Sequence, residues 1–97
     1  FKLAISYEPD HAEAYSCLGT VYANKGLFDE AIGALEKAIQ VRPDYSHAYK
    51  NLGIIYLNYK KDVHKAVSLF RKFLRLDPKN KEAEMIMNTI QEIQATQ

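Results

Sequence analysis

The side chains that could do covalent chemistry are few: one thiol, Cys17, and three imidazoles, His11, His47 and His64. A thiol nucleophile needs a base and an electropositive setting, and no histidine stands at a fixed spacing from Cys17. Cys17 therefore reads as a half-buried structural thiol. The histidines are too scattered to form a metal cluster, and no cysteine or carboxylate joins them in a ligand pattern. His11 and His47 read as surface residues near helix starts. There is no glycine loop of the kind that cradles phosphate. The chain carries no enzyme signature and implies neither a cofactor nor a metal ion.

What remains is the chemistry of binding. Lys65, Lys72 and Arg75 recur at near-helical spacing, with Arg71 adjacent and Lys60, Lys61, Lys79 and Lys81 on the flanks. Such a strip is either a solvated outer face or a tether for an anionic partner: an acidic protein, a membrane surface or nucleic acid. Nucleic acid is the poorest fit, because aromatics are not interleaved with the charges and no known module is present. Overall the charge is nearly balanced, 13 basic against 12 acidic residues for a net +1. The halves differ: residues 1–45 hold four basic and seven acidic side chains, residues 46–97 nine and five. No apolar run approaches the roughly 20 residues of a membrane span. There is no signal-peptide pattern either. A single cysteine rules out an internal disulfide and favours a reducing, cytoplasmic compartment. The chain starts at Phe1, inside a helical pattern, and reads as a fragment of a longer protein.

The elements that position these residues are set by three prolines, Pro9, Pro43 and Pro78, spaced by 34 and 35 residues. Proline cannot continue a helix and pushes the preceding residue out of helical angles. Each proline therefore closes one helix, and apolar residues at helical spacing place six: about 1–7, 12–25, 29–41, 46–60, 63–76 and 80–96. Short connections make neighbouring helices antiparallel. Gly26 is expected to close its helix in a left-handed turn, and Asp62 to cap the N-terminus of the helix that follows it, 63–76.

Aligned on the prolines, the chain repeats itself. Tyr15, Leu18, Gly19, Tyr22, Ala31, Leu35, Ala38 and Pro43 are answered by Tyr49, Leu52, Gly53, Tyr56, Ala66, Phe70 and Pro78. This resembles the tetratricopeptide repeat, whose signature is Trp-x2-Leu-Gly-x2-Tyr, then Ala-x3-Phe, then Pro. The resemblance implies an all-α fold, a right-handed superhelical stack of antiparallel helix pairs. Residues 1–9 would be the second helix of a truncated preceding repeat, 10–43 a first repeat, 44–78 a second, and 79–97 a capping helix. Gly19 and Gly53 sit inside helices, where glycine costs roughly 1 kcal/mol against alanine. Close approach of the partner helix explains them, with Ala31 and Ala66 opposite. The second repeat departs twice. Tyr22 to Ala31 is nine residues but Tyr56 to Ala66 is ten, so one residue is inserted near 58–61 without a glycine. Phe73 replaces a small residue and should hold its neighbours apart. The last helix lacks the signature, and Ala83, Ile86, Met87, Ile90 and Ile93 form its apolar stripe.

The resemblance also implies a function. In this family the first helices of successive repeats line a concave groove that holds a peptide. Carried onto this chain, the contact residues are Glu13, Ser16, Cys17, Thr20 and Asn24, then His47, Lys50, Asn51, Ile54, Leu57 and Asn58, with Met85 and Thr89 from the cap. The expected role is a scaffold or adaptor binding a protein or peptide partner. Members that clamp acidic chaperone tails use Lys, Asn and Arg at set places, but here only Asn51 matches. Ser16, Thr20, Glu82 and Ile86 fill the other places, and Glu82 would repel a carboxylate. Two alternatives stand beside the groove: self-association through an open N-terminal end, and the anionic tether through the basic strip.

Overall fold

The computed structural model describes residues 11–95. Five α-helices lie among them: α1 (His11–Asn24), α2 (Phe28–Val41), α3 (Ser46–Asn58), α4 (Val63–Leu76) and α5 (Ala83–Ala95). The helix expected over residues 1–7 lies outside the described residues. The chain divides into two compact units, one ending at Tyr45 with α1 and α2, the other beginning at Ser46 with α3, α4 and α5.

The two proline turns share one geometry. Tyr45 N–H donates to the Arg42 carbonyl at 3.0 Å, and Asn80 N–H to the Asp77 carbonyl at 3.2 Å. Both are four-residue turns with proline second, the position its fixed φ favours. The residues before the prolines are pushed out of helical angles as expected, Arg42 to φ −145° and Asp77 to φ −142°.

The two hairpin connections solve one problem differently. After α1, Leu27 N–H reaches the Tyr22 carbonyl at 2.9 Å and Gly26 N–H reaches that of Ala23 at 3.0 Å. With Gly26 at φ +80°, this is a Schellman closure, and the expected left-handed glycine is in place. After α3 the loop is one residue longer. Asp62 N–H reaches back to the Tyr56 carbonyl at 2.8 Å, and Lys61 takes the left-handed position at φ 58°. A side chain there carries strain that glycine would not. Asp62 then caps α4 as expected, its Oδ1 accepting from Lys65 N–H at 3.2 Å.

The first unit packs through small residues. Ala12, Ser16 and Gly19 of α1 are buried, and so are Ala31, Ala34, Leu35 and Ala38 of α2. A Cβ on Gly19 would stand 2.7 Å from Leu35 Cγ and 3.2 Å from the Ala31 carbonyl oxygen. Helical spacing alone would place Leu18 and Val21 of α1 on its packed side, and the structure corrects this. Leu18 and Val21 are 41% and 45% exposed, because the close contact is made by the small residues instead.

The second unit has a larger core of Ala66, Phe70, Phe73, Ile86 and Ile90. A Cβ on Gly53 would meet the Phe70 ring at 2.5 Å, so the residue opposite this glycine is Phe70 rather than the expected Ala66. Phe73 is fully buried and lies in the cluster with Ile86 and Ile90 of α5. Removing either ring would cost about 3–5 kcal/mol. The last helix begins at Ala83, not near residue 80. Asn80 Oδ1 accepts from Glu82 N–H at 2.8 Å, and its amide donates to Asp77 Oδ2 at 2.9 Å. An asparagine that binds the backbone two residues on favours a turn over a helix. Met87 is exposed rather than part of the apolar stripe, whereas Ala83, Ile86 and Ile90 are buried.

Urea denaturation of two alanine variants tests the close approach. Gly53→Ala should destabilise the chain by about 1–2 kcal/mol, overpacking outweighing the gain in helix propensity. Gly33 is also helical but has no atom within 4 Å of its notional Cβ. Gly33→Ala should therefore stabilise by about 0.5–1 kcal/mol. Equal stabilisation by both would show that the Phe70 ring yields without cost. Lys61→Gly should gain some fraction of the roughly 1 kcal/mol of left-handed strain, and a loss of stability would contradict that reading.

Candidate protein-binding face

On α1 the expected contact residues divide. Thr20 and Asn24 are exposed, and Glu13 and Cys17 are half-buried. Ser16 is buried at 5% exposure, which corrects its place on a free face. It shares a stripe with Ala12 and Gly19 at spacings of four and three. Its carbonyl accepts from the Thr20 hydroxyl at 3.2 Å.

Tyr45 joins this face and was not singled out by the sequence. Its phenol hydrogen-bonds with the Ser16 side chain and lies within electrostatic range of Glu13 and Cys17. The Arg42 guanidinium sits 5.0 Å from the ring centroid, with Asp44 3.9 Å from Arg42 Nε. Burial, with the Glu13 carboxylate adding to it, pushes the phenol above its ordinary range, against the Ser16 bond and Arg42. Tyr45 follows a Pro-Asp pair and so reads as loop. Only the turn at Pro43 carries the ring to Ser16.

On α3, His47 and Asn58 are exposed, while Lys50, Asn51, Ile54 and Leu57 are half-buried. Ile54 and Leu57 were expected as free apolar contacts. Instead they pack partly against the Phe70–Phe73–Ile86–Ile90 core and show only their outer surfaces. Lys50 Nζ donates to Glu82 Oε1 in an ion pair joining α3 to the turn before α5. Lys50 is therefore engaged within the chain rather than free for a partner, and the Glu82 carboxylate is already paired. Tyr49 and Tyr56, the signature aromatics of this helix, are half-buried against the same core. Met85 on α5 is exposed at 55%, and its carbonyl accepts from the Thr89 hydroxyl at 2.9 Å.

The basic strip of α4 proves to be two surfaces. Lys65 Nζ lies 5.1 Å from the Tyr56 ring centroid and Lys72 Nζ 5.9 Å from that of Tyr49, so both amines turn toward α3. Each contact is worth about 0.5–1 kcal/mol. Arg71 and Arg75 are exposed and form no ion pair among the described residues.

The Lys50 hydrogen bond and charge hold the Glu82 carboxyl below the ordinary carboxylate range. A group whose pKa is depressed by folding stabilises above its unfolded value and loses that contribution as pH falls through the folded one. Glu82 is 39% exposed, so solvent screens the pair and its worth is about 0.5–1 kcal/mol. Glu82→Gln should lower stability by that amount near neutral pH. The gap should close as pH falls from about 5 to about 3. Urea denaturation across this window reads it, and a gap that does not vary with pH would mean packing, not charge, holds the turn.

Among the described residues no helix is long and apolar enough to cross a membrane. A comparison with curated proteins found no match to the chain. The family model described as tetratricopeptide repeat matches residues 10–79, the stretch that holds α1 to α4 and both proline turns. Proteins built from this repeat generally mediate protein–protein interaction and are typically not enzymes. The match covers well over half of the chain, the helix pairs have the glycine-to-large-residue contacts of the signature, and the chain belongs to the tetratricopeptide-repeat family.

Proposed function

We propose that the chain is a scaffold or adaptor module that holds an extended peptide segment against the outward face of α3, the first helix of its second repeat. Family membership supports the class of function. The observation that carries the finer reading is Asn51. Its amide is half-buried on α3 beside Ile54 and Leu57, and it makes no hydrogen bond among the described residues. A partly desolvated amide with both a donor and an acceptor to satisfy is a ready partner for a peptide N–H and C=O. The outer surfaces of Ile54 and Leu57 would cover the peptide's apolar side chains, and His47 and Asn58 would border them. In this reading residues 10–43 and 44–78 are the two repeats, and 79–97 the cap that covers the apolar side of the second.

A peptide selected from a random library for binding to the chain provides the probe. Asn51→Ala should weaken it by about tenfold, the loss of one or two hydrogen bonds from a partly desolvated site. Asn88→Ala, at an exposed position on α5, should leave binding within about twofold. Equal effects of the two substitutions would remove Asn51 from the site.

A further inference from the structure

A second surface in the α3–α5 unit has the makings of a binding site separate from the α3 face. A cleft of about 470 Å³ opens along α4 and is closed at one side by Gln94 of α5. Three of its lining residues are the basic Arg71, Lys72 and Arg75, and among the described residues no carboxylate lines it. His64 and Ser68 add polar groups, and Val63 and Val67 form an apolar end. The volume falls in the range of ordinary ligand clefts, about 300–1,000 Å³.

The order of these residues carries the inference. Val63, Val67, Arg71 and Arg75 recur every four positions along α4, all on the cleft. Four helical residues rise about 6 Å. Two residues of an extended chain advance about 6.6 Å, and alternate side chains of such a chain point the same way. An extended peptide lying along α4 would therefore offer every second side chain to successive members of the row. We propose that this cleft binds an acidic linear segment of a partner protein with the pattern apolar-x-apolar-x-acidic-x-acidic. Its two carboxylates meet Arg71 and Arg75, and its apolar side chains meet Val63 and Val67.

The chemistry fits an acidic peptide better than other anions. A guanidinium binds a carboxylate through two parallel N–H···O bonds, and neither arginine is engaged in an ion pair among the described residues. The apolar end has no use for a phosphate or a lipid headgroup, which would need charge along the whole row. Among the described residues no aromatic side chain lines the cleft, so bases of a single-stranded nucleic acid have nothing there to stack on. Lys72 contributes field rather than a fixed contact, since its amine lies near the Tyr49 ring.

Fluorescence anisotropy with the 97-residue chain tests the proposal. The probe is a labelled, amidated peptide Leu-Ser-Leu-Ser-Glu-Ser-Glu. Arg71→Gln combined with Arg75→Gln should weaken its binding roughly tenfold or more. Lys79→Gln combined with Lys81→Gln removes as much charge outside the cleft and should change it by no more than about twofold. A peptide of the same composition with its glutamates adjacent should bind several-fold more weakly. Asn51→Ala should have no effect, which separates this cleft from the α3 face. Circular dichroism melts should coincide, because the substituted arginines are exposed and unpaired. Equal loss in the two double variants would overturn the proposal, as would equal binding of the two peptides. Tighter binding of phosphatidylserine vesicles than of the peptide, abolished by the arginine substitutions, would make the surface a membrane contact instead.

Discussion

The constraint on which the rest depends is the missing Cβ at Gly53. The Phe70 ring lies where a Cβ on that residue would be, 2.5 Å from its place. With the ring seated there, α4 can lie close to α3, and Phe73, three residues on, joins Ile86 and Ile90 in one cluster. That cluster docks α5, and docking α5 brings Glu82 to Lys50. In the first unit Gly19 and Leu35 hold the same relation with smaller side chains. Dispersion contacts are individually weak and fall off steeply with distance, so a gap of one methyl at either glycine is felt along the whole helix pair.

The same packing shapes the face assigned to binding. Ile54 and Leu57 serve the core on one side and solvent on the other. Lys50 is neutralised by Glu82, and the Ser16 hydroxyl is hydrogen-bonded with the Tyr45 phenol. A surface whose members are already fixed by the core loses little conformational freedom on binding, which favours affinity without a large contact area. The cost is breadth: fewer residues are left to choose the partner. On α3, Asn51 and Asn58 carry no charge, so the proposed face would suit the backbone and apolar side chains of a peptide better than a strongly charged tail.

Much of the fold was legible in the sequence because its signals are local. Proline spacing marks the turns, Gly26 and Asp62 sit at the expected helix ends, and α2 and α4 match their expected spans to within one residue. The misreadings are of contacts that periodicity does not carry. A helical pattern shows that Gly53 needs space but not whether Ala66 or Phe70 fills it. It cannot tell that Asn80 will bind its own backbone and delay α5 by three residues. At the proposed binding face, the freedom of several residues was overstated. Burial of Ser16, pairing of Lys50 and the return of Tyr45 all depend on groups distant in sequence. The division of the α4 cations into two surfaces likewise rests on where Tyr49 and Tyr56 stand.

Amide chemical-shift mapping of the labelled chain, titrated with a peptide selected for binding, tests the central claim most directly. The account predicts that the largest shifts fall on α3 around Asn51, with the Asn51 side-chain amide among the most perturbed. Shifts confined to the outer residues of α2 and α4, with the Asn51 amide unmoved, would contradict it.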